Sequence, residues 1–197
     1  MKQHQLEDYI KFLNQVMFKI DKCFAEQKPY VFCKEGCSAC CEKGEFPCSE
    51  LEFEYLFEGF NLLDDELKKE ILCKISQIKI KNDENNSMYE CPFLINKRCA
   101  IYHYRPLICR TFGLMYFDKN EDLKVPFCHN LGLNYHQVYD QQKQIISDEM
   151  LEKSGIKQEP LAYNLSLSFL QKFGKNRYNL DFGEQKNIID WMDRTNN

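Results

Sequence analysis

The chain has 197 residues, 44% of them hydrophobic and 14% aromatic, and a formal net charge of −4. One domain, or two at most, with an ordinary apolar core fits that length and excludes wholesale disorder. The slight acidity gives no electrostatic reason to expect nucleic acid or an anionic membrane surface, and no uncharged apolar run approaches the roughly 18–20 residues of a bilayer span.

Leu6, Ile10, Leu13, Met17 and Ile20 recur at helical spacing and predict an amphipathic helix over about 5–26. Charged Glu7, Asp8 and Lys11 interrupt this stretch, which is wrong for a signal peptide, so a cytoplasmic location is expected. Ser49 and Glu52 form a capping-box pattern that opens a helix over about 50–59, with Gly59 near its end. Asp64 or Asp65 caps the next helix, whose stripe is Leu67, Ile71, Ile75 and Ile78. Residues 81–87 read as a solvated loop. Residues 89–130 show no period; within them Pro106 suits the start of a short helix ending near Gly113. Helical patterns return at 135–152, at 160–173 between Pro160 and Gly174, and at 184–194. The expectation is a mainly α chain: a single compact helical domain over 1–197, wrapped around an irregular cysteine-rich, metal-binding centre.

Eleven cysteines are the abnormal feature. In a reducing compartment such clusters bind metal or do redox chemistry more often than they form disulfides, and an odd count leaves one thiol unpaired under any intramolecular scheme. Cys33, Cys37, Cys40 and Cys41 place four soft ligands within nine residues, among the small residues Gly36, Ser38 and Ala39. Cys91, Cys99, Cys109 and Cys128 are spread through the irregular stretch. Cys23, Cys48 and Cys73 read as buried or half-buried structural thiols. His129 beside Cys128 is a possible substitute ligand and a weak candidate for a Cys–His dyad, while His4, His103 and His136 read as ordinary surface or core histidines.

The first group, followed by Cys91-Pro92-Phe93-Leu94, Cys99-Ala100-Ile101-Tyr102, Arg105-Pro106 and Cys109-Arg110-Thr111-Phe112-Gly113, resembles the YkgJ-like cysteine-cluster proteins, also named for their CxxCxxCC pattern. The resemblance covers about 33–130, leaving a helical part over 135–197 outside it. It implies a zinc- or iron-chelating domain, often described as an iron–sulfur protein, with no settled biochemical role. The ligands it implies are Cys33, Cys37, Cys40, Cys41, Cys91, Cys99 and Cys109, with Cys128 as an eighth. The gap between Cys33 and Cys37 is one residue longer than the family's pattern.

Scattered thiolates and the absence of a second Cys-x-x-Cys knuckle favour an iron–sulfur cluster; zinc is the alternative. Four thiolates around either centre carry about −2 net charge. Arg105 and Arg110 flank Cys109 and can offset that charge by donating N–H to sulfur. Two function classes follow. One is a non-catalytic metal-binding module with no protein partner implied. The other is an iron–sulfur redox or group-transfer enzyme, since Cys33-x3-Cys37-x2-Cys40 has the radical S-adenosylmethionine spacing. Ala39 and the lack of alternating strands and helices depart from that enzyme family. The cluster is also similar to that of flagellin lysine methylase, which implies protein lysine methylation as one such reaction. No residue is assigned a catalytic role.

Overall fold

The computed structural model describes residues 3–81, 88–118 and 120–192. In chain order the helices are α1 (Gln3–Glu26), α2 (Ala39–Glu42), α3 (Glu50–Asn61), α4 (Asp65–Lys81), α5 (Leu107–Thr111), α6 (Asp148–Ser154), α7 (Leu167–Tyr178) and α8 (Ile188–Trp191). The strands are β1 (Pro47–Ser49), β2 (Leu94–Ile95), β3 (Arg98–Cys99), β4 (Tyr116–Phe117), β5 (Leu123–Lys124), β6 (Tyr139–Asp140), β7 (Ile145–Ile146) and β8 (Gln185–Asn187). They pair only two at a time, so helix dominates and the mainly α expectation holds. Among the described residues no helix is long and apolar enough to cross a membrane.

The chain divides into two compact units: residues 1–9, 36–110 and 180–197 form the first, and 10–35 and 111–179 the second. In the first unit β1 and β8 pair antiparallel, Cys48 opposite Lys186. Phe53, Leu56, Phe60, Ile71, Phe93 and Trp191 fill its core. Trp191 stacks on Phe53 at 5.5 Å and donates from Nε1 to the Cys48 carbonyl at 2.9 Å. The capping box is present as expected: Glu52 N–H donates to Ser49 Oγ at 3.3 Å, and Ser49 N–H to Glu52 Oε2 at 3.0 Å. Asp64 caps α4 through the Leu67 N–H at 2.8 Å, and Ile71 and Ile75 of the expected stripe are buried.

In the second unit Phe12, Leu13, Val16 and Ile20 are buried on α1, whereas Ile10 is exposed. The aromatic Phe12, which packs against Phe173 and Tyr178, has rotated the buried face away from the stripe read from aliphatics alone. Tyr30, Met115, Tyr135, Val138 and Tyr139 form the other cluster of this unit.

The C-terminal helix boundaries needed correction. The helix expected over 135–152 is only α6; before it lies the β6–β7 hairpin. Tyr135 and Gln144 adopt positive φ (60° and 56°), which a helix does not tolerate. Tyr135 is held there by its N–H to the Tyr30 carbonyl (2.9 Å), by stacking on the Tyr30 ring (5.8 Å) and by the Met115 N–H on its hydroxyl (3.2 Å). The helix expected over 160–173 begins at Leu167 instead, where Ser166 Oγ accepts the Phe169 N–H, and Gly174 is buried inside it. Residues 160–166 stay extended because the Leu161 N–H goes to Gln27 Oε1 (2.9 Å) and Tyr163 exchanges backbone bonds with Met115 and Phe117. The stretch 184–194 splits into β8 and the short α8, with 193–194 outside the described residues. The loop expected over 81–87 also lies, beyond Lys81, outside them.

Gly59 does not end its helix, which runs on to Asn61. It is the point where α3 meets Tyr104: a Cβ there would stand inside van der Waals contact with the Tyr104 ring. Gly59→Ala improves helix propensity by about 1 kcal/mol, yet the overlap should win. The expected outcome is a net loss of about 1–3 kcal/mol in urea unfolding; a stabilised variant would mean that Tyr104 moves freely.

Candidate metal centre

Four backbone segments of the first unit bring cysteines together. Gly36 turns the chain at φ 83°, a conformation that favours glycine, just before the single helical turn α2 that carries Cys40 and Cys41. The Ser38 carbonyl accepts the Cys41 N–H at 2.7 Å, and Ser38 Oγ donates to Glu42 Oε1 at 2.6 Å, closing that turn. The Cys41 carbonyl in turn accepts the Cys91 N–H at 2.7 Å, tying the first cysteine group to the second. Asn96 and Lys97, both at positive φ, form a two-residue turn between β2 and β3, so that Cys99 lies opposite Leu94. A seven-residue gap along the chain thus becomes a short distance across a hairpin. Lys74 Nζ steadies this hairpin by donating to the Leu94 carbonyl at 2.6 Å.

Cys109 is placed by α5, whose first N–H, that of Leu107, donates to Glu52 Oε1 at 2.8 Å. Glu52 is fully buried, and its other oxygen takes the Ser49 N–H and hydroxyl. One carboxylate therefore caps both α3 and the helix that carries Cys109. Sequence reasoning saw the first role only; the second joins residues 55 positions apart and leaves no local signal.

The charges of Cys40, Cys91, Cys99 and Cys109 influence one another: Cys99 and Cys40 act on Cys91, Cys40 acts on Cys99, and Cys91, Cys99 and Cys40 act on Cys109. Burial, followed by Cys99 and Cys40, pushes the Cys91 thiol up to about 12. Burial likewise raises Cys99, and raises Cys109 well above the ordinary thiol range, with Cys91 and Cys99 adding to the latter. Cys40 is raised first by its hydrogen bond with Cys41, whose Sγ is 3.9 Å away, and then by burial. Opposing these effects, the Phe93 N–H favours the Cys91 thiolate, the Ile101 N–H favours that of Cys99, and the positive charge of Arg105 favours those of Cys40, Cys99 and Cys109. Residues 91–110 contain Lys97, Arg98, Arg105 and Arg110 and no Asp or Glu, although the chain holds 30 acidic residues. That local bias is the sequence signal for the charge compensation a thiolate centre requires.

The arginines act differently from the sequence expectation in one respect: the hydrogen bonds they show go to carbonyls. Arg105 Nε donates to the Tyr102 carbonyl at 2.8 Å, with the guanidinium 3.5 Å from the Tyr102 ring centroid. Arg110, buried, donates to the carbonyls of Arg105 (2.7 Å) and His103 (2.5 Å). Arg110 thus fixes the bend between the Cys99 hairpin and α5, and Arg105 supplies charge.

Other candidates fall elsewhere. Cys37 is exposed in the turn before α2. Cys33 and Cys128 belong to the second unit. There Cys33, exposed, accepts from Asn134 Nδ2 at 3.2 Å, and the same amide donates to the Gly113 carbonyl at 2.7 Å. Cys128 is buried in the 3-10 turn Phe127–Leu131, and His129 Nδ1 lies 3.1 Å from the Pro126 carbonyl. Cys48 is buried and Cys23 half-buried as expected, but Cys73 is exposed on α4, 3.5 Å from Gln77 Nε2. Among the described residues no group of three or more Cys, His, Asp or Glu side chains stands together as a metal site; buried neutral thiols have no charge to draw them onto one point, which is what a cation supplies.

Four soft donors, amide N–H groups aimed at sulfur and one adjacent guanidinium fit a thiophilic metal. The arrangement is that of a metal-binding cysteine-cluster domain. Residues 32–129 belong to the CxxCxxCC family, described as a putative zinc- or iron-chelating domain. Neither a curated protein nor a solved structure matches the chain.

Replacing Glu52 tests how Cys109 is held. Glu52→Gln presents an amide N–H to groups that now donate to a carboxylate, and a loss of about 2–3 kcal/mol in urea unfolding is expected. Stability within a few tenths of the parent would show that the shared cap is not needed.

Proposed function

We propose that the first unit holds a single zinc or iron ion through Cys40, Cys91, Cys99 and Cys109. What supports this reading is the electrostatic influence these four thiols have on one another, each carried on a different backbone segment, within a family described as zinc- or iron-chelating. Four-coordination by thiolate suits both metals. Bound there, the ion supplies a crosslink among segments that have little hydrogen-bonded structure of their own, and its binding free energy becomes folding free energy. Cys33, Cys37, Cys41 and Cys128 are outside the proposed set, and Arg105 offsets part of its negative charge.

An iron–sulfur cluster is the second reading, supported by the irregular ligand spacing.

Anaerobic purification followed by elemental analysis and visible absorption separates the readings. About one equivalent of zinc or iron per chain and no acid-labile sulfide is expected; labile sulfide with a brown chromophore would replace the single ion by a cluster. Cys91→Ser and Cys109→Ser should each lose most of the metal, and Cys73→Ser should keep it. Full metal content in the first pair would refute the ligand set. Chelator treatment of the parent should lower helicity and melting temperature together; an unchanged melt would remove the crosslinking role.

A further inference from the structure

Residues 180–192 lie beyond the span that carries the family pattern, yet they are built into the first unit. They run along residues 46–53 and supply what the start of α3 lacks. The Glu184 carbonyl accepts the Glu50 N–H at 2.9 Å, and the Phe182 carbonyl accepts the Leu51 N–H at 3.3 Å. Both donors sit in the first turn, where no carbonyl of α3 reaches. Further along, β8 pairs with β1, and the Phe46 carbonyl accepts the Ile188 N–H at 3.0 Å. Trp191 closes over the fully buried Cys48 through its bond to that residue's carbonyl. Phe182, Ile188, Ile189, Trp191 and Met192 are buried, whereas Gly183, Glu184 and Gln185 are exposed. With a strand of three residues and a helix of four, the segment has little structure of its own and is held by docking.

We propose that this segment is a strap whose docking holds Cys109 in place from a distance. The path of contacts is continuous. The strap fixes the first turn of α3, that turn carries Glu52 beside its cap Ser49, and Glu52 Oε1 holds the Leu107 N–H at the start of the turn that bears Cys109. Undocking takes the acceptors away from the Glu50 and Leu51 N–H groups and uncovers the face of Phe53 on which Trp191 stacks. The capping box then loosens, and α5 with it. Short segments held by tertiary contacts open before the whole fold does, so release is a sub-global step. Any event that withdraws the strap therefore acts on the cysteine-bearing turn without touching it. This coupling lies in the chain's own contacts and is independent of the four-thiolate reading.

Hydrogen–deuterium exchange of the full chain, read by mass spectrometry with chelator present, tests the coupling, since only the chain's own bonds then hold Cys109. Trp191→Phe keeps an aromatic ring against Phe53 but removes the N–H that binds the Cys48 carbonyl. Exchange should rise about tenfold at residues 180–192, 46–53 and 107–110 alike, and stay at the parent rate at residues 12–30 of the second unit. Acceleration confined to 180–192 would overturn the proposal, as would equal acceleration in both units, which would mark a global loss of stability. The parent chain supplies a second arm that needs no variant. In low urea, iodoacetamide should reach Cys48 with the same urea dependence as exchange at 107–110, shallower than that of global unfolding. Cys48 labelled only through global unfolding would show that no strap opens. Different dependences at Cys48 and at 107–110 would show that the two are not linked.

Discussion

The fully buried carboxylate of Glu52 receives the Ser49 N–H and hydroxyl on one oxygen and the Leu107 N–H on the other. A buried anion is tolerated only when its lone pairs are satisfied, and here the donors are N–H groups at two helix starts, where no carbonyl of the same helix can reach. The same contact therefore settles two needs: it neutralises orphan donors of α3 and α5, and it fixes where α5 begins. Since α5 is a little over one turn long, its own hydrogen bonds cannot hold it. Cys109 stands where it does because Glu52 anchors the turn beneath it.

Around that anchor the other cysteines of the proposed set are placed by backbone bonds rather than by regular elements. Cys91 hangs from the Cys41 carbonyl, Cys99 is returned by a tight hairpin, and Arg110 ties down the bend between Cys99 and Cys109 through two carbonyls. Burial, with the neighbouring thiols adding to it at Cys91, makes these groups costly as anions, and the surroundings answer with N–H groups, the Arg105 charge and a stretch free of carboxylates. Those electrostatics suit the proposed cation.

The elements read correctly from sequence were those with local causes. Ser49 and Glu52 announced α3, Asp64 and the Ile71–Ile75 spacing announced α4, and Pro106 announced α5. The misread ones were decided by partners far along the chain. Tyr135 carries an apolar pattern compatible with helix, yet Tyr30, 105 residues earlier, holds it at positive φ. Residues 160–166 were drawn into extended pairing by Gln27, Met115 and Phe117. Gly174 looked like a helix stop and is buried inside one.

The identity of the donors, their softness and the family pattern were determined by the residue order itself, because ligand chemistry is a property of side chains and short spacings. How the cysteine-bearing segments are held against one another was decided only by the tertiary structure. Cys40 and Cys41 are adjacent, and Cys91 and Cys109 lie 18 positions apart, so spacing cannot rank them. Glu52, the Cys41 carbonyl and the Asn96–Lys97 turn do, since each acts across space on a segment whose own sequence carries no record of the contact.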